Sequence, residues 1–208
     1  MNLEAHSQES SNYRKHTAVN PLQKALIERF HATIVNEVSA LSPKTFLDAG
    51  CGEGFVARRL IAAIPGLKLK GCDLSPGALA ISRRTNPGAE FVPGSVLELP
   101  FPDKSFDVIG CFEVLEHLLD EMPRQALAEF SRVARRAVVL SVPHEPFFSL
   151  ANAARGKNLD IRPRGSDPDH RQFWSRASFG ALVGEEFRVR TLKGSFPWTI
   201  CVAEASGT

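Results

Sequence analysis

The sequence predicts an α/β doubly wound sheet, and three observations carry that expectation. Apolar runs with strand character recur at 44–48, 67–72, 89–93, 106–111 and 137–142, and helical patterns at 54–64, 76–85 and 122–135 fall between them. One of these strands, in Phe46-Leu47-Asp48-Ala49-Gly50-Cys51-Gly52-Glu53-Gly54, runs directly into three alternate glycines. Such a turn lets a ligand approach the backbone at the carboxyl end of a strand. Finally, 208 residues with 43% hydrophobic and 23% charged composition suit a single domain, 1–208, with a full core.

The elements follow in order. Residues 1–19 are polar, with Tyr13 the one aromatic, and are expected to be a mobile segment that can fold over a ligand through Tyr13 and His16. Asn20-Pro21 supplies N-cap and first-turn signals for a helix on which Leu22, Leu26, Ile27, Phe30, Ile34, Val35 and Val38 recur at helical spacing. The alternation of strand and helix then runs to residue 142. A stretch of about thirty residues, 143–173, separates this strand from the next helix, 175–184, and is long for a connection. Within it 146–154 reads as a short helix, and Arg155, Lys157, Arg162, Arg164, Arg171 and Arg176 outnumber Asp160, Asp167 and Asp169. It is either a solvated surface loop or a substrate lid with a basic lining. Two strands, 186–192 and 198–203, close the chain.

Charge in the glycine turn discriminates between cofactors. A dinucleotide fingerprint opening on Gly50 needs glycine where this chain has Phe55, and it seats a pyrophosphate. Asp48 would oppose that anion. S-adenosylmethionine (SAM) has no phosphate and carries an ammonium and a sulfonium, so an acid entering the turn favours SAM over NAD. Asp73 ends the next strand at the distance expected for a ribose-binding acid.

With Leu99-Pro100-Phe101-Pro102-Asp103-Lys104-Ser105-Phe106-Asp107 downstream, the D-x-G-C-G-x-G turn resembles that of class I SAM-dependent methyltransferases, over about Phe46 to Pro143. The resemblance implies a Rossmann-like, mostly parallel seven-stranded sheet with an antiparallel last strand. It implies that Asp48, Gly50 and Gly52 surround the methionine moiety, Asp73 the ribose, and Ser95 with Val96 the adenine edge. Phe112 would lie against the cofactor, and Cys51 and Leu74 belong to the same binding set. Ser95 departs from the pattern, since members commonly have Asp there. A hydroxyl accepts without charge assistance, which allows weaker binding.

Methyl transfer from a sulfonium needs alignment and, for a hydroxyl acceptor, a base. Glu113, Glu116 and His117 follow the 106–111 strand at i, i+3 and i+4, which on a helix is one face. They are either helix-end scaffolding or functional groups. This E-x-x-E-H element resembles that of ubiquinone-pathway O-methyltransferases and small-RNA 2′-O-methyltransferases. The RNA branch also has a downstream element similar to Asp169-His170-Arg171-Gln172-Phe173-Trp174-Ser175-Arg176. That likeness implies that Glu113, Glu116, His117 and His170 hold Mg²⁺ or another divalent cation. Trp174-Ser175 reads equally as an apolar anchor followed by a helix N-cap. His117 with Glu116, and His144 beyond the 137–142 strand, are the candidate bases.

A small-molecule acceptor, methylated on oxygen, is the expectation, with RNA 2′-O-methylation and a non-catalytic SAM-binding partner as alternatives. A net charge of +2 is too small to imply bulk nucleic-acid or membrane attraction, so an anionic partner would have to be recognised by a local patch. No apolar run approaches membrane-spanning length and Met1 to His6 lacks a signal core, so a cytoplasmic protein is expected. Cys51, Cys72, Cys111 and Cys201 lack metal-site spacing and read as buried thiols, with Cys51 alkylatable if the site is open. Oligomeric state is not legible.

Overall fold

The computed structural model describes residues 21–154, 156, 158–161 and 165–205. Expectations for the N-terminal segment, including His16 and Tyr13, and for Arg155, Lys157, Arg162 and Arg164 fall outside these residues.

Seven strands form one sheet: β1 Thr45–Ala49, β2 Lys68–Asp73, β3 Glu90–Pro93, β4 Phe106–Phe112, β5 Ala134–Pro143, β6 Phe187–Ser195 and β7 Trp198–Ala205. Their spatial order is β3-β2-β1-β4-β5-β7-β6. β1 to β5 pair in parallel, while β7 runs antiparallel between β5 and β6. The Rossmann-like sheet with an antiparallel last strand is therefore present. Strand order reverses between β1 and β4, and in such sheets the ligand crevice opens at that point, beyond the strands' carboxyl ends.

Helices cover both faces: α1 Pro21–Ala40, α2 Phe55–Ala63 and α3 Pro76–Thr85 on one, α4 Met122–Val133 and α6 Arg176–Val183 on the other. Ile27, Phe30, Ile34 and Val38 of α1 are the buried members of the predicted stripe, packed with Phe46, Val108, Val139 and Ile200 of the sheet. On the opposite face Leu127 and Phe130 of α4 and Phe179 of α6 meet Leu47, Ile109 and Leu140. The inner strands read as continuous apolar runs because both of their faces are buried.

Three boundaries differ from expectation. α4 ends at Val133, and Ala134 to Arg136 join β5, because Ala134 pairs with Phe106 and Arg136 donates to Leu41 O. β6 extends to Ser195, since pairing with β7 continues to Ser195–Trp198 around a hairpin at Phe196-Pro197. The third difference concerns the site. No α-helix holds residues 113–117; Glu113 takes a left-handed φ of 57° and only a 3₁₀ turn, Leu115–His117, forms before α4. Asp120, also left-handed at φ 42°, ends the segment, leaving too few residues to nucleate an α-helix. Glu113, Glu116 and His117 thus do not share a helical face.

Candidate functional site

The glycine turn connects β1 to α2. Gly50, Gly52 and Gly54 all have left-handed φ, between 51° and 76°, which side chains disfavour. A Cβ on Gly50 would also lie 2.5 Å from Val114 Cγ2. Gly50 and Cys51 N–H donate to Cys72 O, at 2.7 and 3.0 Å, so the turn is anchored to the end of β2.

Asp73 organises the rim. Its Oδ2 accepts from Gly52 N–H and its Oδ1 from Ser75 N–H, both at 2.8 Å. Each carboxylate oxygen has a second lone pair, so the acid can still accept from a ribose diol. Beside it Leu74 is 73% exposed, an apolar side chain set open on the cleft. Ser95 lies in the loop after β3, and its hydroxyl accepts from Leu97 N–H at 3.1 Å; that bond shapes the loop without the charge an aspartate would add. Val96 and Phe112 are buried, and pack in the clusters on opposite faces of the sheet.

Asp48 is 2% exposed, between Gly71 and Gly110 of the flanking strands, and its Oδ2 has no donor. Burial, then the neighbouring Asp73, pushes its carboxyl up to about 7. Without a cation beside it Asp48 therefore holds its proton well above the usual carboxylate range, which opposes the anion expected from sequence. Cys51 is buried as well, its thiol driven far up by burial and by Asp48 and Asp73. Alkylation, expected only if the site is open, is disfavoured by both. All four cysteines are free and buried, with Cys72 and Cys201 pushed up to about 12 chiefly by burial.

Beyond β4 the candidate groups separate. Glu113 turns toward β5: its N–H donates to Ser141 O at 3.2 Å and its carboxylate accepts from Ser141 Oγ at 3.0 Å. Ligand atoms of Glu116, His117 and His170 lie within 4.8 Å of one another, a group that does not include Glu113. His170 arrives by tertiary contact, because Arg171 and Gln172 N–H both donate to Glu116 O, at 2.7 and 3.0 Å. The two imidazoles meet edge to face at 5.1 Å, and Phe148 lies 5.4 Å from His170. Trp174 packs 5.6 Å from Phe179, and Ser175 accepts from Ser178 N–H as the N-cap of α6, so both act as anchor and cap.

His144 stands just past β5, its N–H donating to Pro197 O at 2.9 Å. Burial and then Arg176 hold its imidazole below the usual histidine range, although Glu145 opposes this. That shift favours the uncharged imidazole, the form a base needs. α5, Phe147–Ala153, follows. Phe147 stacks edge to face on His144 at 5.1 Å, and Phe147, Leu150 and Phe196 are each about half exposed. Phe147 thus sets an exposed apolar ring on the histidine, which the sequence did not reveal, since a lone histidine before a short helix carries no such signal.

Two further residues escaped sequence reasoning. Ser82 and Asn86 are buried and bond carbonyls of the glycine turn. A signal existed: with Leu79 they occupy i, i+3 and i+7 of α3, inward positions that an apolar stripe would fill.

A methyltransferase-domain family model matches residues 47–142. A probable chloroplastic tocopherol O-methyltransferase of Oryza sativa subsp. japonica is 29% identical over 73% of this chain and 43% of its own length. A demethylmenaquinone methyltransferase of Chlorobaculum tepidum is 39% identical over 43% of this chain and 36% of its own length. The chain spans half or less of the length of the curated relatives it matches. In fold it is similar to magnesium protoporphyrin IX methyltransferase from Synechocystis PCC 6803, with a TM-score of 0.72 and 18% identity over 97% of both chains. The small RNA methyltransferase HEN1 gives the same TM-score at 20% identity, over 87% of this chain and 25% of that one. The glycine turn, the acid ending β2, the strand order and the matched domain model agree: residues 47–142 match the methyltransferase-domain family, within a sheet of the Rossmann-like methyltransferase fold.

Proposed function

We propose that the protein transfers the methyl of SAM to a hydroxyl oxygen of a small acceptor with an apolar body. The observation that carries this is His144 just past β5, its imidazole held below the usual histidine range by burial and Arg176, with the exposed ring of Phe147 stacked on it at 5.1 Å. SAM supplies an already activated methyl, so the protein has to align the acceptor and remove its proton. An apolar acceptor gains by covering that ring, and His144 accepts the hydroxyl proton as oxygen attacks the methyl carbon. Asp73 holds the ribose, Asp48 faces the cationic end of SAM, and Leu74 with Val96 flanks the adenine. Relatives named for tocopherol and demethylmenaquinone support an apolar acceptor.

A second reading is favoured by the Glu116, His117 and His170 group. The donor set fits a divalent cation: one carboxylate and two imidazoles, of which Glu116 and His170 are buried. His117 Nδ1 lies 3.1 Å from Asp169 O, and donation to that carbonyl leaves the Nε2 lone pair free to ligate. A bound divalent cation would lower the pKa of an acceptor hydroxyl. On this reading a ribose 2′-hydroxyl of RNA is the alternative acceptor.

Labelled SAM offered to separate lipid-extract, polar-metabolite and RNA pools distinguishes these readings. Label in an alkali-stable ether of an organic-soluble product is expected. Label confined to RNA, or an unaltered rate for His144→Gln on the organic-soluble product, would overturn the first reading.

A further inference from the structure

α3 lies directly against the glycine turn, and two polar residues of its buried side reach into that turn. Ser82 is 0% exposed and Asn86, the residue that caps the helix, is 4% exposed. Ser82 Oγ donates to Gly52 O at 2.6 Å, while Asn86 Nδ2 donates to Gly54 O at 3.3 Å and to Ser82 O at 3.1 Å. The amide orientation is dictated by its surroundings, because rotating it would press Oδ1 onto two carbonyl oxygens. Asn86 Oδ1 has no donor, so the side chain is held by its donor side alone.

These bonds complete a frame. Gly52 is fixed on both flanks, its N–H by Asp73 Oδ2 and its carbonyl by Ser82, and this holds its left-handed φ of 51°. Asp73 is fixed in turn by Ser75, the N-cap of α3, whose hydroxyl accepts from Ala78 N–H. The start of α3 therefore holds the candidate ribose acid and its end holds the turn. Contact is close: a Cβ on Gly54 would lie 2.6 Å from Asn86 Nδ2 and 3.1 Å from Ser82 Oγ.

We propose that Ser82 and Asn86 are positioning residues of the cofactor site, setting the Gly50–Gly54 turn and, through Gly52 N–H, the carboxylate of Asp73. The inference rests on the family's placement of SAM at this turn. A turn with three glycines has much backbone entropy to lose on ordering a ligand, and side-chain bonds made beforehand remove that loss from the binding step. The effect belongs to SAM affinity and not to the transfer step, which these residues do not touch.

Calorimetric titration of SAM and of its demethylated product into Ser82→Ala, Asn86→Ala and the double variant tests this, at a temperature well below each unfolding midpoint. Each single variant is expected to weaken SAM by about tenfold and the double variant by more. Ser82→Cys, which keeps the volume and a weak donor, is expected to fall between wild type and Ser82→Ala. Hydrogen exchange separates positioning from general destabilisation: the Gly52 amide should lose protection while the amides of β4 keep theirs. Affinity within twofold of wild type in folded Ser82→Ala or folded Asn86→Ala overturns the proposal, as does Ser82→Cys binding more weakly than Ser82→Ala. Asp73→Ala in the same series identifies the cause: if it weakens SAM while Ser82 variants do not, the positioning role fails, and if it too binds normally, the placement of SAM fails.

Discussion

Replacing Asp48 by asparagine should raise the stability of the cofactor-free protein above pH 7 and weaken its hold on SAM. In the folded protein the carboxyl is buried at the end of β1 with one oxygen lacking any donor, and its proton is held up to about pH 7 against an ordinary value of 3.8. The folded state therefore binds this proton more tightly than the unfolded chain. Below about pH 4 both states are protonated and there is no penalty; between about 4 and 7 stability falls as pH rises, and above 7 the cost is complete. Each tenfold in proton affinity is worth about 1.4 kcal/mol, so the rise from 3.8 to about 7 corresponds to a ceiling of about 4 kcal/mol. Water reaching the turn reduces that figure. The amide of the Asp48→Asn variant would keep the shape of the carboxyl and never ionise. Urea unfolding of both proteins from pH 5 to pH 8 should show wild type losing stability relative to Asp48→Asn by at least about 1 kcal/mol. The cationic end of SAM offsets the charge, so SAM binding near pH 6.5 should release protons, seen as a dependence of the binding enthalpy on the buffer's ionisation enthalpy. That dependence should vanish in the variant. Parallel stability profiles together with no proton release would refute the reasoning, because Asp48 would then be an ordinary solvated acid.

Native protein treated with iodoacetamide at pH 8 should leave all four cysteines unlabelled while unfolded protein takes up four equivalents; rapid labelling of Cys51 in the native state would show that the turn is open. Gly165→Ala should release α5, since Gly165 has φ +86° and an added Cβ would sit 2.0 Å from Ser149 O and 2.7 Å from Ala153 N. A local cost of roughly 2–4 kcal/mol, read as faster hydrogen exchange over 147–153, is expected, and unchanged protection there would contradict it. On the metal-assisted reading, His170→Ala requires more added cation for the same rate and wild type loses turnover in strong chelator while still binding SAM. Full turnover in chelator sinks that reading and leaves His144 as the base.

Much of the molecule is local and so was present in the sequence. Strands and helices alternate with periods of 2 and 3.6, the left-handed turn demands glycines at 50, 52 and 54, and the acid at 73 ends the next apolar strand. Those signals determined the fold class and the cofactor edge, because each depends on residues close in the chain. What tertiary structure decided depends on groups far apart. β5 takes Ala134 to Arg136 from the helix before it because β4 offers pairing partners. Glu113 leaves its expected companions for Ser141 of β5, and His170 reaches Glu116 and His117 only because two backbone amides of its loop dock on Glu116 O. Asp48 illustrates the division most clearly. Its position at the end of β1 follows from the pattern of apolar residues, whereas its protonation follows from burial between two strands and from Asp73, 25 residues away in the chain and adjacent only in the fold.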